Sequence, residues 1–226
     1  MNWLLTFLFT TALLIPASAS GNPPETTDIF LSSNTVVNQH QELSRTSSIK
    51  IVTPNGHGSG TYIKLGRNYY ALTARHVVES INIVAIQAGL EVVVGEVVFR
   101  SETQDIALIK IPALGDRTAA RIRTFNIQNL EIGEELVYSG YPSQYSILTS
   151  GAIVSGKEGR RYILQGFAWP GSSGSGIIDS RGKIRGVLVG VGVETFRNST
   201  QLLETVVWME PITETTWAEI RSALEL

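Results

Sequence analysis

The sequence predicts an all-β protein built as two six-stranded antiparallel β-barrels with a C-terminal α-helix. Three observations predict it. Twelve short runs of strand-type residues fall in two sets of six, punctuated by Gly, Pro and Asn turns. A clean helical period of apolar residues occurs only in the tail. The chain carries 21 glycines in 226 residues, with 43% hydrophobic side chains, a turn-rich composition that still fills two small cores.

Along the chain, residues 1–19 do not read as fold. Residues 3–15 are apolar and uncharged, Pro16 breaks the run, and Ala17-Ser18-Ala19 is a small-x-small cleavage signature. This pattern predicts a secretory signal peptide and a secreted or periplasmic product. The n-region lacks Lys and Arg, so a short membrane anchor is the alternative, with membrane contact only through residues 3–15. Residues 20–48 are polar, with Pro23-Pro24, and form an N-terminal arm or a pro-segment; His40 is expected to be solvated there.

The first barrel is expected over residues 49–118. Its strands are read at 49–52, 61–65, 69–73, 81–86, 91–100 and 106–111. Asn55-Gly56 marks a turn, with His57 an exposed turn residue, and residues 76–80 form a short helical turn. Residues 112–130 connect the halves. The second barrel and its helix are expected over 119–226, with strands at 135–139, 146–155, 161–167, 175–179, 184–193 and 200–209. Asp116 and Asp179 sit in Gly-containing turns and read as turn formers. In the tail, Thr216 and Glu219 have capping-box spacing, and Trp217, Ile220 and Leu224 share one helical face.

Net charge is −2 with no block of like charges, which argues against nucleic acid as a partner. The chain has no cysteine, so disulfides, thiolate catalysis and Cys-based metal sites are excluded. The three histidines lack ligand spacing, and no phosphate loop or dinucleotide fingerprint appears. No metal or cofactor is expected.

Three segments carry chemistry. In Pro170-Gly171-Ser172-Ser173-Gly174-Ser175-Gly176, serine hydroxyls stand among glycines, where a nucleophile clears bulky neighbours and backbone N–H groups approach a substrate carbonyl. Leu72-Thr73-Ala74-Arg75-His76 ends an apolar run on a histidine, which takes a serine proton. Asp105-Ile106-Ala107-Leu108 opens another run on a carboxylate, which orients that imidazole. Every histidine precedes the serine run, which excludes the α/β-hydrolase order, and no G-x-S-x-G elbow is present.

These segments resemble the TAxH, DIAL and GxSG blocks of trypsin-like (chymotrypsin-fold) serine proteases, and Gly58-Ser59-Gly60-Thr61-Tyr62-Ile63 resembles the strand before the histidine block. The resemblance runs from about residue 49 to the C-terminus, and the missing cysteines resemble the bacterial, phage or viral type. It implies a serine endopeptidase acting on protein or peptide substrates through an acyl-enzyme. Ser173 would be the nucleophile, preferred over Ser172 and Ser175 by the G-x-S-G pattern, with His76 the base and Asp105 its orienting carboxylate. The N–H groups of Gly171 and Ser173 would form the oxyanion hole. Phe167, Leu188, Val189 and Val191 would line the specificity pocket, favouring small or medium apolar residues before the scissile bond. Ser172 stands where many members carry Asp or Asn, so pairing of such an acid with a freed N-terminus is not expected. A membrane-anchored viral or phage processing protease, and a non-catalytic homologue that binds peptides as added strands, are the alternatives.

Overall fold

The computed structural model describes residues 38–121, 130–196 and 199–226. The expected leader and most of the expected arm lie outside the described residues.

The chain begins with α1 (Gln39–Ser47), followed by β1 (Ser48–Thr53), β2 (Gly56–Leu65) and β3 (Asn68–Thr73). A 3-10 turn (Arg75–Val78) leads to β4 (Ile83–Ala88), β5 (Glu91–Arg100) and β6 (Ala107–Ile111). The order β1-β4-β5-β6-β3-β2 closes through β1–β2 pairing, and every pair is antiparallel. A short β7 (Ala120–Arg121) then adds in parallel to β2. The second barrel comprises β8 (Glu135–Gly140), β9 (Leu148–Glu158), β10 (Arg161–Gln165), β11 (Gly176–Asp179), β12 (Ile184–Phe196) and β13 (Ser199–Pro211). It closes in the order β10-β13-β12-β11-β8-β9. α2 (Glu214–Leu224) ends the chain. The two antiparallel six-stranded barrels and the terminal helix are those the sequence predicts.

Three apolar clusters hold this together. One fills the first barrel, with Ile49, Ile51, Ile86 and Ile109. Another fills the second, with Leu136, Leu164, Val207 and Met209. The third lies between them and under α2, where Leu72, Leu108, Val137, Ile178, Val187 and Ile220 meet. Strands bordering that interface are buried on both faces, so they read as continuous apolar runs. On the far side of the first barrel the period-2 pattern survives: Ile83, Val92 and Val94 face solvent while Val84, Ile86 and Val97 turn inward.

Two local expectations are corrected. The segment read as a polar arm contains α1. This helix buries Ser44 and Ser47 rather than an apolar stripe, and Ser44 Oγ donates to Ser139 Oγ at 2.9 Å. The capping box of α2 uses Thr213 and Thr216, because Glu219 is committed to the loop beside Asp105, accepting from Ser101 Oγ at 2.6 Å and Thr103 Oγ1 at 3.2 Å.

Candidate active site

The antiparallel pairing of β3 with β6 sets Thr73 opposite Ala107. The chain leaving β3 and the chain entering β6 therefore lie at one edge of the barrel, and His76 and Asp105 emerge side by side. Their contact is bidentate: the His76 backbone N–H donates to Asp105 Oδ1 at 2.9 Å, and Nδ1 lies 2.8 Å from Oδ2. The 3-10 turn carrying His76 is stapled from β5, where Arg100 Nη2 donates to the carbonyls of Val78 at 3.0 Å and Ile81 at 2.7 Å. Asp105 is mostly shielded while the His76 side chain is 43% exposed, so the imidazole faces the open groove with its carboxylate behind it. Burial pushes the Asp105 carboxyl up, but the two hydrogen bonds and charge of His76, with the charge of Arg161, outweigh it and hold the group below its ordinary range. The preceding Gln104 ties this loop to the second barrel, its Nε2 donating to the Pro211 carbonyl at 2.8 Å.

From the second barrel, the Gly/Ser run forms the loop entering β11. Its three serines are not equivalent. Ser175 is fully buried and its hydroxyl donates to the Ser172 carbonyl at 2.8 Å. Ser172 is buried and its hydroxyl accepts from the Trp169 N–H at 3.3 Å. The Ser173 hydroxyl is half-buried and makes no hydrogen bond among the described residues. It lines a groove of about 440 Å³ with His57, His76, Val77, Pro170 and Gly171. The His76 Nε2 is likewise without a partner among the described residues, so imidazole and hydroxyl share one groove without a hydrogen bond between them. In unliganded enzymes such bonds are commonly long and tighten with substrate.

Two glycines make the loop possible. Gly171 has φ +100°, and a Cβ there would lie 2.5 Å from the Tyr141 carbonyl oxygen. Gly174 has φ +96°, and a Cβ there would collide with the Ser59 carbonyl oxygen. The peptides on either side are pinned through their carbonyls. Pro170 O accepts from Ser143 N–H at 2.7 Å, and Ser172 O accepts from Ser175 N–H at 3.1 Å. In a trans peptide the N–H points opposite its carbonyl. The N–H groups of Gly171 and Ser173 are thus turned away from these partners, and neither donates to another group among the described residues.

Of the four expected pocket residues, Val189 and Val191 come together. They line a second cavity of about 540 Å³ with Glu158, Gly159, Arg161, Gly190 and Trp208. Leu188 does not join them: it is buried in the core of the second barrel, and its backbone accepts from Gly174 N–H and donates to Ser175 O. Phe167 is 46% exposed and does not line that cavity. Its carbonyl accepts from the Tyr138 hydroxyl, whose pKa burial pushes up to about 12. His57, read as an exposed turn residue, is half-buried in β2, with Nε2 2.9 Å from the Tyr141 carbonyl oxygen and against Gly171.

Residues 58–187, more than half of the chain, match the family described as the trypsin-like peptidase domain, and the chain belongs to that family. No curated protein sequence matches it. Among solved structures, it is similar to the inactive form of the Rv3671c protease, at 20% identity and TM-score 0.64 over 84% of this chain and 94% of that one. An inactive-form serine mutant of Rv3671c from M. tuberculosis matches at 19% identity and TM-score 0.63 over 94% of this chain and 96% of that one. The serine endoprotease from Yersinia pestis matches at 18% identity and TM-score 0.64, over 83% of this chain and 66% of that one. At these identities the likeness is one of fold.

Proposed function

We propose that this member of the family is a serine endopeptidase. Ser173 attacks the peptide carbonyl, His76 takes its proton and passes it to the leaving amine, and Asp105 fixes the imidazole tautomer and stabilises the imidazolium. The N–H groups of Gly171 and Ser173 receive the oxyanion, and water hydrolyses the acyl-enzyme. The carrying observation is the 2.8 Å His76–Asp105 contact, facing a groove that holds the one serine of the run with an uncommitted hydroxyl. A peptide-binding homologue without catalysis would have no use for this arrangement. Export through a cleaved leader over residues 1–19 completes the reading, supported by the sequence pattern alone.

The preference we assign before the scissile bond is for small or medium apolar residues. Val189 and Val191 support it, since they give the cavity an apolar stretch that gains from burying an apolar side chain, although Glu158 and Arg161 also line it. The test is cleavage of a mixed peptide library. Ala, Val or Leu should dominate at that position, and Ser173→Ala should lower kcat by about 10⁶-fold without changing the melting temperature. Cleavage that survives Ser173→Ala would sink the mechanism; dominance of Lys, Arg or Glu would sink only the specificity.

A further inference from the structure

We infer that Ser59, a residue of the first barrel, is a positioning residue that latches the oxyanion loop of the second barrel in its open-donor form. The inference rests on the serine-peptidase reading above. Ser59 lies in β2, is fully buried, and uses all of its hydrogen-bonding groups at the seam between the barrels. Its hydroxyl donates to the Gly171 carbonyl at 2.8 Å and accepts from the Tyr141 N–H at 2.9 Å. Its backbone N–H donates to the Ser173 carbonyl at 2.7 Å, and its carbonyl accepts from Thr73 Oγ1 at 2.8 Å. One residue therefore touches the nucleophile loop twice, the β8–β9 loop once, and the end of β3, the strand that leads into the turn carrying His76.

The Gly171 carbonyl is the informative contact. Gly171 is the residue of this loop freest to rotate, and its N–H is one of the two candidate oxyanion donors. On its N-terminal side the peptide plane is fixed by Ser143 N–H on Pro170 O. On its C-terminal side the plane has two anchors: the Ser59 hydroxyl donates to the Gly171 carbonyl at 2.8 Å, and the Ser172 N–H donates to the Trp169 carbonyl at 2.9 Å. With both planes held, Gly171 is kept at φ +100° with its N–H turned away from Ser143. Without the hydroxyl, the Gly171–Ser172 plane keeps only the Ser172 N–H bond to the Trp169 carbonyl and loses its anchor to the first barrel, so the donor geometry loosens. The hydroxyl makes no approach to substrate; it acts through Gly171.

The experiment compares wild type, Ser59→Ala and Ser59→Cys, the last filling similar space while donating poorly. Three quantities are measured: kcat and KM on a cleaved peptide, affinity for a peptide aldehyde whose adduct places an oxyanion in the hole, and affinity for the cleaved product. Ser59→Ala should lower kcat by about 10–100-fold with KM held within about twofold, since a misaimed donor costs transition-state and not ground-state binding. Aldehyde affinity should fall in step, product affinity should hold, and Ser59→Cys should fall between. An unchanged kcat, or an unchanged aldehyde affinity in folded variant, overturns the latch. Should Ser59→Ala not fold, wild-type kcat in Ser59→Cys overturns it equally. A folded wild type that neither cleaves peptides nor binds the aldehyde overturns the peptidase reading, and the latch with it.

Discussion

The two barrels build their parts of the site by different means. The first presents His76 and Asp105 from adjacent paired strands, so ladder register and a packed core decide where both side chains go. The second presents Ser173 from a loop of small residues with little side chain to pack. That loop is held by hydrogen bonds and by two glycines in left-handed conformations. Errors in the first barrel should therefore act mainly through chemistry at the pair or through global stability. Errors in the second should act through local geometry in an otherwise folded protein.

The largest effect expected of this contrast is at Asp105. Asp105→Asn keeps the shape but offers His76 the wrong tautomer partner, and kcat should fall by about 10⁴-fold, the magnitude known for the triad of this family. The same variant tests the electrostatics. A carboxyl held below its ordinary pKa in the fold stabilises the protein above the unfolded value, about 4, and that contribution is lost as pH falls through the lowered folded value. The stability gap between wild type and Asp105→Asn should thus be full at neutral pH and shrink in acid. A gap that widens on acidification would reverse the sign argued here.

Next comes the loop. Gly174→Ala places a methyl against the Ser59 carbonyl in a conformation that side chains rarely adopt, so the loop must move. Activity should drop by about 10²-fold or more through misplacement of Ser173, while far-ultraviolet circular dichroism keeps the barrel signature. Wild-type kinetics would show the loop tolerating what its geometry forbids.

The smallest catalytic effect is expected in the barrel core. Ile109→Ala empties a fully buried position of the first barrel and should cost about 2–5 kcal/mol of stability, with kcat per folded molecule unchanged. Val94→Ala, on the solvent face of β5, should stay within about 0.5 kcal/mol. Equal losses at the two positions, measured by denaturant unfolding, would erase the distinction between the inward and outward faces.

The same contrast explains what was legible in the sequence. Strands of the interface, such as residues 69–73 and 106–111, are buried on both faces and announce themselves as apolar runs. The His76 and Asp105 blocks stand at the ends of such runs, so strand order alone brings them together. What was hidden depends on small polar residues. α1 buries serines, and a helix without an apolar stripe carries no period to read. His57 and Ser59 look like turn and strand residues, and their contacts to Tyr141 and Gly171 are more than 80 positions distant in sequence. The place of Leu188 in the pocket wall comes from the family resemblance, and alternation cannot check it, because the neighbours Val187 and Leu188 are both buried, each in a different core. The register shift between Leu188 and Gly190 then resets the parity, leaving Val189 and Val191 at the cavity.

The central claim is that the imidazole of one barrel activates the loop serine of the other. The most direct measurement is labelling of the folded protein with a fluorophosphonate probe, with the modified residue mapped by mass spectrometry. The account predicts a single adduct on Ser173, formed rapidly in wild type and slowed by orders of magnitude in His76→Ala. An adduct on Ser172 or Ser175, or a rate indifferent to loss of His76, would contradict it.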